Sequence, residues 1–304
     1  MGKTTKEIPL NSGFHYTVNM PIKDFNIVNI NEEKPNELLK FYPLSTYSVE
    51  CLLNHQIYAA HPLDLNDPFD NFNQYLNHLI GINEEAWMCF YSRYGIISLA
   101  HPKNRNNILM WAHYTKHEGF AIVFNHEKLG FIHYDPYPMN YQNNLIDLRS
   151  IDKFELLDNK EKLLFGLLYF LTTKHKLWGY EKEYRILAAK EHFMKCQRFP
   201  KYGEDMEPVD RLISYKPDAI NEIILGYEFI FKSDYYIKDK DDNILIKTND
   251  KNRIDILSFL SSGNYQCSLI DIHPQEAFEL ITYNIKIEKI NVTDYKIIRN
   301  FGVA

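Results

Sequence analysis

Cysteine is scarce: Cys51, Cys89, Cys196 and Cys267 are the only four in 304 residues, and no two of them form a CxxC pair. That spacing argues against a zinc ribbon and against a dense disulfide framework, and a reducing compartment fits best. Long apolar runs are missing too. The longest, Leu163 to Leu171, is bounded by Lys162 and Thr172 and reaches about half of the roughly 20 residues a membrane-spanning helix needs. It reads as a buried helix. The first residues, Met1-Gly2-Lys3-Thr4-Thr5-Lys6, hold no apolar h-region, and Lys6 stands where a myristoylation signal wants Ser or Thr. Neither export nor a lipid anchor is expected, no membrane partner is expected, and the expected location is cytoplasmic.

An excess of positive charge is also lacking. Lys and Arg number 34 against 40 Asp and Glu, a net charge of −6, so nucleic acid is unsupported as a partner. No glycine-rich loop opens a helix; Gly2-Lys3-Thr4 looks like the tail of one without its upstream glycine and strand. There is no internal repeat or sustained heptad, and strands and helices follow no regular βαβ rhythm, which with the missing glycine-rich loop argues against a doubly wound nucleotide-binding sheet. What is present, 45% hydrophobic and 24% charged residues, belongs to a globular protein with a real core. The expected class is α+β, with a mixed, mainly antiparallel sheet core and packed helices.

Along the chain, residues 1–36 are polar and read as an N-terminal extension, 37–230 as the core domain, and 231–304 as a C-terminal α/β extension of that core. Leu39 to Leu44 reads as a strand, Ser45 or Thr46 as the cap of a helix through Asn54, and Gln56 to Ala60 as a second strand. Pro68 disfavours helix at Asp67, so 63–70 is a loop, followed by a helix at 76–85 and a strand at 87–98 broken at Gly95. Asn104 opens a helix through about His117, which Gly119 is placed to end before the strand Phe120 to Phe124. Residues 135–144 read as a loop, 153–175 as one long helix, 180–188 as a strand, and Lys238 to Asn243 as a hairpin or loop tip.

Three constellations could carry chemistry. In Tyr180-Glu181-Lys182-Glu183-Tyr184-Arg185-Ile186, strand alternation puts Glu181, Glu183 and Arg185 on one face. Left in water, that is an ion-paired surface; partly buried, it pushes the glutamates to share a proton or requires Arg185 to neutralise one. In the segment from Trp111 to Gly119, His113 and His117 lie one helical turn apart, but the HExxH order is missing and no metal is expected. Trp111 and Tyr114 are either core packing or, with His113, the wall of a pocket for a planar ligand. Asn66-Asp67-Pro68-Phe69-Asp70 is either a self-bonded turn or the lip of a site. The expected working site joins the Trp111 to His117 segment to the strand of Glu181, Glu183 and Arg185.

Together with Tyr42 and Leu225-Gly226, these segments resemble a bacterial family known as domain of unknown function 2971, over roughly residues 39–230. The resemblance implies a bacterial accessory protein of phage-defence or toxin type. The chain is also similar, more faintly, to ADP-ribosyltransferase-like folds, which open strand, helix, strand and carry a catalytic glutamate on a late strand, the place of Glu183. That similarity implies NAD as a substrate rather than a tightly bound cofactor, with Tyr42 and Tyr58 sandwiching the nicotinamide. The first strand, however, reads Phe41-Tyr42-Pro43-Leu44-Ser45-Thr46 and lacks the His of many such enzymes.

The leading expectation is an enzyme that cleaves NAD or transfers ADP-ribose. Glu183 is central to it, Glu181, Arg185 and His113 support it, and Tyr42, Tyr58, Asn66, Asp67, Trp111, Tyr114 and His117 bind the ligand. Two alternatives stand beside it: a metal-dependent nuclease or phosphoesterase built on Asp67, Asp70, Glu181 and Glu183, and a non-catalytic sensor of a ligand or a phage protein. The partners expected are a small-molecule nucleotide and a second protein.

Overall fold

Phe120–Asn125 is a strand whose first five side chains are all buried, and an apolar run of that kind settles between two other strands. Here they are Glu37–Tyr42 on one side and Ile220–Leu225 on the other, both antiparallel to it. The computed structural model describes residues 4–9, 14–20, 24–29, 33–67, 94–130, 135–151, 154–189, 211–276 and 279–303. The chain separates into two compact units. One comprises residues 1–35, 58–98 and 131–213; the other comprises 36–57, 99–130 and 214–304. These limits differ from the divisions expected at 36 and 230.

The second unit is built on the Phe120–Asn125 strand. Beyond Ile220–Leu225 its sheet continues in the order Gln266–Ile272, Leu280–Lys289, Asp294–Val303, Ile244–Lys247 and Tyr235–Lys238, with one parallel step, between Ile220–Leu225 and Gln266–Ile272. The helix Thr46–Leu53 starts where expected, on Ser45, whose hydroxyl accepts the Ser48 N–H at 3.2 Å. The hairpin tip also forms where expected, with Asp239 accepting the N–H groups of Asp241 and Asn243. The helix expected at 104–117 is shorter, Ile108–Thr115, and Asn107 caps it.

Gly119 does not end that helix. Lys116 and His117 do, both in the left-handed region at φ 55° and 59°, so His113 and His117 do not share a helical face. Gly119 serves another purpose: a Cβ there would sit 1.9 Å from the Tyr42 carbonyl oxygen. Gly226 has the same constraint, because a Cβ would fall 2.4 Å from the His117 carbonyl oxygen. That absence of side chains lets Gly226 donate to the Gly119 carbonyl and Glu228 to the His117 carbonyl, each at 2.9 Å.

In the first unit the helix expected at 153–175 is Asn159–Leu171. It opens on a capping box in which Asp158 and Glu161 accept each other's backbone N–H at 2.8 Å. Phe165, Leu168, Tyr169 and Leu171 of this helix pack with Ile8, Phe14 and Tyr16. The first residues are therefore part of a core: Thr4–Pro9, Phe14–Met20 and Asp24–Asn29 form an antiparallel meander. After Leu171 the chain turns extended, as β-branched Thr172 and Thr173 favour. Thr173–His175 pairs in parallel with Asn140–Gln142, inside the segment expected to be a loop. Glu183–Ala189 lies between Tyr94–Ala100 and Tyr137–Pro138, and Gly95 does not break its strand. The helix expected at 76–85 lies outside the described residues.

Helices and mixed, mainly antiparallel strands make this an α+β protein. Among the described residues no helix is long and apolar enough to cross a membrane.

Gly119→Ala is expected to lower unfolding stability by about 3 kcal/mol, because the Tyr42 carbonyl is backbone and cannot step aside cheaply. Urea unfolding measures it, and a midpoint equal to that of the parent would show that the close approach is not needed.

Candidate functional site

The residues expected on one face of a strand at 180–188 come together by a different route. Lys176–Glu181 is a 3-10 helix, started by His175, whose Nδ1 accepts the Leu177 N–H at 3.3 Å. Lys182 then takes φ 43°, left-handed, and the strand begins only at Glu183. Alternation thus does not hold across Lys182. The half-turn nevertheless brings both glutamates to one cation, Lys174, on the strand Thr173–His175.

Lys174 Nζ donates to Glu181 Oε2 at 2.7 Å and to Glu183 Oε2 at 3.3 Å. Arg185 Nε donates to Glu183 Oε1 at 2.8 Å and its Nη1 to the Leu171 carbonyl at 2.9 Å. The backbone N–H of Glu183 donates to the Tyr141 hydroxyl at 2.8 Å. Lys174, Glu181, Glu183 and Arg185 are all buried, at 3%, 2%, 6% and 1% exposure, so this is an interior tetrad of two cations and two anions. Burial opposes ionisation of Glu183. The charges of Arg185 and Lys174, with hydrogen bonds from Arg185 and Ser98, outweigh it and pull the carboxyl down to about 2.

Above the tetrad lie aromatic rings that are only half-buried. Lys174 Nζ sits 4.8 Å from the Trp178 ring centroid, and Trp178 and Tyr180 are 6.1 Å apart and tilted by 38°. An ammonium at that distance is attracted to the ring face. Burial, and then the charge of Glu183, pushes the Tyr141 hydroxyl well above its usual range, so it stays protonated beside the tetrad.

Lys174, Tyr141 and Ser98 had no place in the sequence reading. For Lys174 a signal existed in the β-branched pair before it; for Tyr141 and Ser98 there was none. Of the other residues expected here, Tyr58 is half-buried, Asn66 exposed and Asp67 buried, all in the same unit, while Pro68, Phe69 and Asp70 lie outside the described residues. Burial raises the Tyr58 hydroxyl, against the opposing charge of Arg211.

Tyr42, Trp111, His113, Tyr114 and His117 belong to the other unit. Tyr42 is buried and stacked on Phe120 with ring centroids 5.2 Å apart. Trp111 is fully buried, donates from Nε1 to the Arg105 carbonyl at 2.7 Å and meets Phe41 edge-on. These two are core residues of their unit. His113 is exposed, and Tyr114 and His117 are half-buried. Desolvation, helped by the charge of Lys232 and opposed by that of Glu228, lowers the His117 pKa, so its ring is neutral at physiological pH. Among the described residues no group of three or more His, Cys, Asp or Glu could hold a metal ion.

A carboxyl held at about 2 in the folded protein and near 4.5 when unfolded adds stability that is complete above pH 4.5 and is lost as the pH falls toward 2. In Glu183→Gln the acid limb of the stability profile is expected to be shallower across that interval; an unchanged limb in chemical denaturation would mean that Glu183 is not held ionised. Arg185→Leu leaves Glu183 buried with half of its compensation and is expected to cost about 3–5 kcal/mol.

No curated protein and no solved structure matches the chain. The match to a family model is narrower than the span of the resemblance. It leaves out Tyr42, Asn66 to Asp70 and Gly226 but takes in the Trp111 to Gly119 segment, Lys174 and the tetrad. Residues 110–186 match the model of the family described as Protein of unknown function (DUF2971).

Proposed function

We propose that the first unit binds a planar small molecule of the nucleotide class, with Trp178 and Tyr180 stacking on its ring and the tetrad holding those side chains in place. The observation that carries this reading is the contact between Lys174 Nζ and the Trp178 ring: a fully buried, charge-balanced group directly supports a half-exposed aromatic pair. Indole and phenol rings fixed in this way offer a flat apolar surface edged by hydrogen-bonding groups, the common form of a small-molecule site. The similarity to ADP-ribosyltransferase-like folds makes NAD the first ligand to try.

The geometry favours a positioning role for Glu183. Both of its carboxylate oxygens already accept hydrogen bonds, and at a pKa of about 2 it is a poor proton acceptor at neutral pH. One observation supports the catalytic alternative: Glu183 is negative at every physiological pH, and a fixed negative charge stabilises the positive charge that develops on ribose as nicotinamide leaves. Binding and cleavage are separable by experiment.

Tryptophan fluorescence titrated with NAD, ADP-ribose and nicotinamide is expected to show saturable quenching that Trp178→Ala abolishes. A flat response to all three in folded protein would overturn the proposal. Mass spectrometry of the same NAD samples separates the roles: nicotinamide release by the parent and not by Glu183→Gln assigns cleavage, whereas binding without release leaves a sensor.

A further inference from the structure

The strand Tyr235–Lys238 ends the sheet of the second unit, and its residues run against the usual pattern. Tyr235, Tyr236 and Ile237 are 57%, 42% and 46% exposed, and Lys238 is exposed as well. A strand that packs on a core hides alternate side chains; this one hides none of its four and is still apolar at three. Its partner strand, Ile244–Lys247, occupies one side, in the register Tyr236 to Ile246. Among the described residues no strand lies on the other side, so a row of backbone donors and acceptors is open there. The edge is braced from behind. Tyr236 meets Phe231 edge-on at 5.1 Å, and Phe231 packs on Tyr227 at 4.7 Å.

We propose that this edge pairs with the same edge of a second copy, antiparallel and two-fold about Tyr236, to make a homodimer. The charges at the two ends of the strand select that occupant. Antiparallel pairing about Tyr236 puts Tyr235 opposite Ile237 of the partner subunit and Asp234 opposite Lys238 of the partner subunit, and the two-fold axis repeats both contacts. Asp234 and Lys238 are both exposed. Opposite charges directly across an antiparallel pair stabilise it, and the apolar pair between them leaves water. A shift by one residue, with Tyr236 opposite Ile237 of the partner subunit, would set Asp234 against Asp239 of the partner subunit. The matched ends therefore fix the register as well as the partner. An interface this short is of the weak, exchanging kind, with association in the micromolar range. It is independent of the ligand site.

Sedimentation velocity over a micromolar concentration series tests it on the full chain. The parent is expected to pass from monomer to dimer. Lys238→Asp, which places acid against acid, is expected to weaken the dimer about tenfold, and the double reversal Asp234→Lys with Lys238→Asp to recover it. Asp234 also accepts the backbone and side-chain N–H of Asn249, at 2.6 and 3.0 Å, so a thermal melt of each variant checks that loop. Ile237→Lys, which touches neither charge, is expected to be monomeric. A parent that stays monomeric at every concentration, or a dimer that none of the variants weakens, overturns the proposal.

Discussion

A carboxylate keeps its charge inside a protein only where fixed charges and dipoles replace the water it has lost, and Glu183 obtains both. Arg185 and Lys174 supply the charge, and Ser98 adds a hydrogen bond. Each of these groups is tied to another element: Arg185 to the end of the long helix through the Leu171 carbonyl, and Lys174 to Glu181 and the Trp178 ring. The tetrad thus links helix, 3-10 turn and strand through interactions that tolerate little displacement. Replacing such a group by apolar side chains of equal volume is often neutral for stability, so an interior tetrad of this kind is weak evidence of a stabilising role and better evidence of a specific geometry. Here one member of the tetrad, Lys174, also faces the Trp178 ring.

The second unit depends on close approaches of backbone to backbone. Gly119 and Gly226 let three chain segments approach to hydrogen-bonding distance at the end of the Phe120–Asn125 strand. The left-handed pair Lys116 and His117 turns the chain so that the His117 carbonyl faces Glu228. Non-glycine residues with positive φ carry a cost, and two in succession persist only where the surroundings fix them.

Much of this was legible in the sequence. Apolar runs marked the strand at 120–125, Ser45 marked its helix, and Asp239 with Asn243 marked the hairpin tip, because each of those signals acts locally. The acidic pair and Arg185 were recognisable as a group, but the reason given for their meeting, strand alternation, failed at Lys182, where the chain turns left-handed in a way side-chain chemistry does not announce. The helix expected as far as His175 stops at Leu171, the last apolar residue of its run, because the β-branched Thr172 and Thr173 that follow favour extended backbone. The first residues hid their role for another reason. Phe14 and Tyr16 alternate as a strand should, yet the polar residues around them dominate the composition.

The segment that matches the family does not coincide with a folding unit. Residues 110–130 belong to one compact unit and 131–186 to the other. Within the former, Gly119 is shaped to the carbonyl of Tyr42, and the His117 carbonyl is satisfied by Glu228, both outside the matched span. In this chain both of those junctions are completed by residues from outside the matched span. An excised peptide of 110–186 would carry the matched residues without the Tyr42 and Glu228 contacts that complete them, and a division of the chain into autonomous domains would cut the matched span in two.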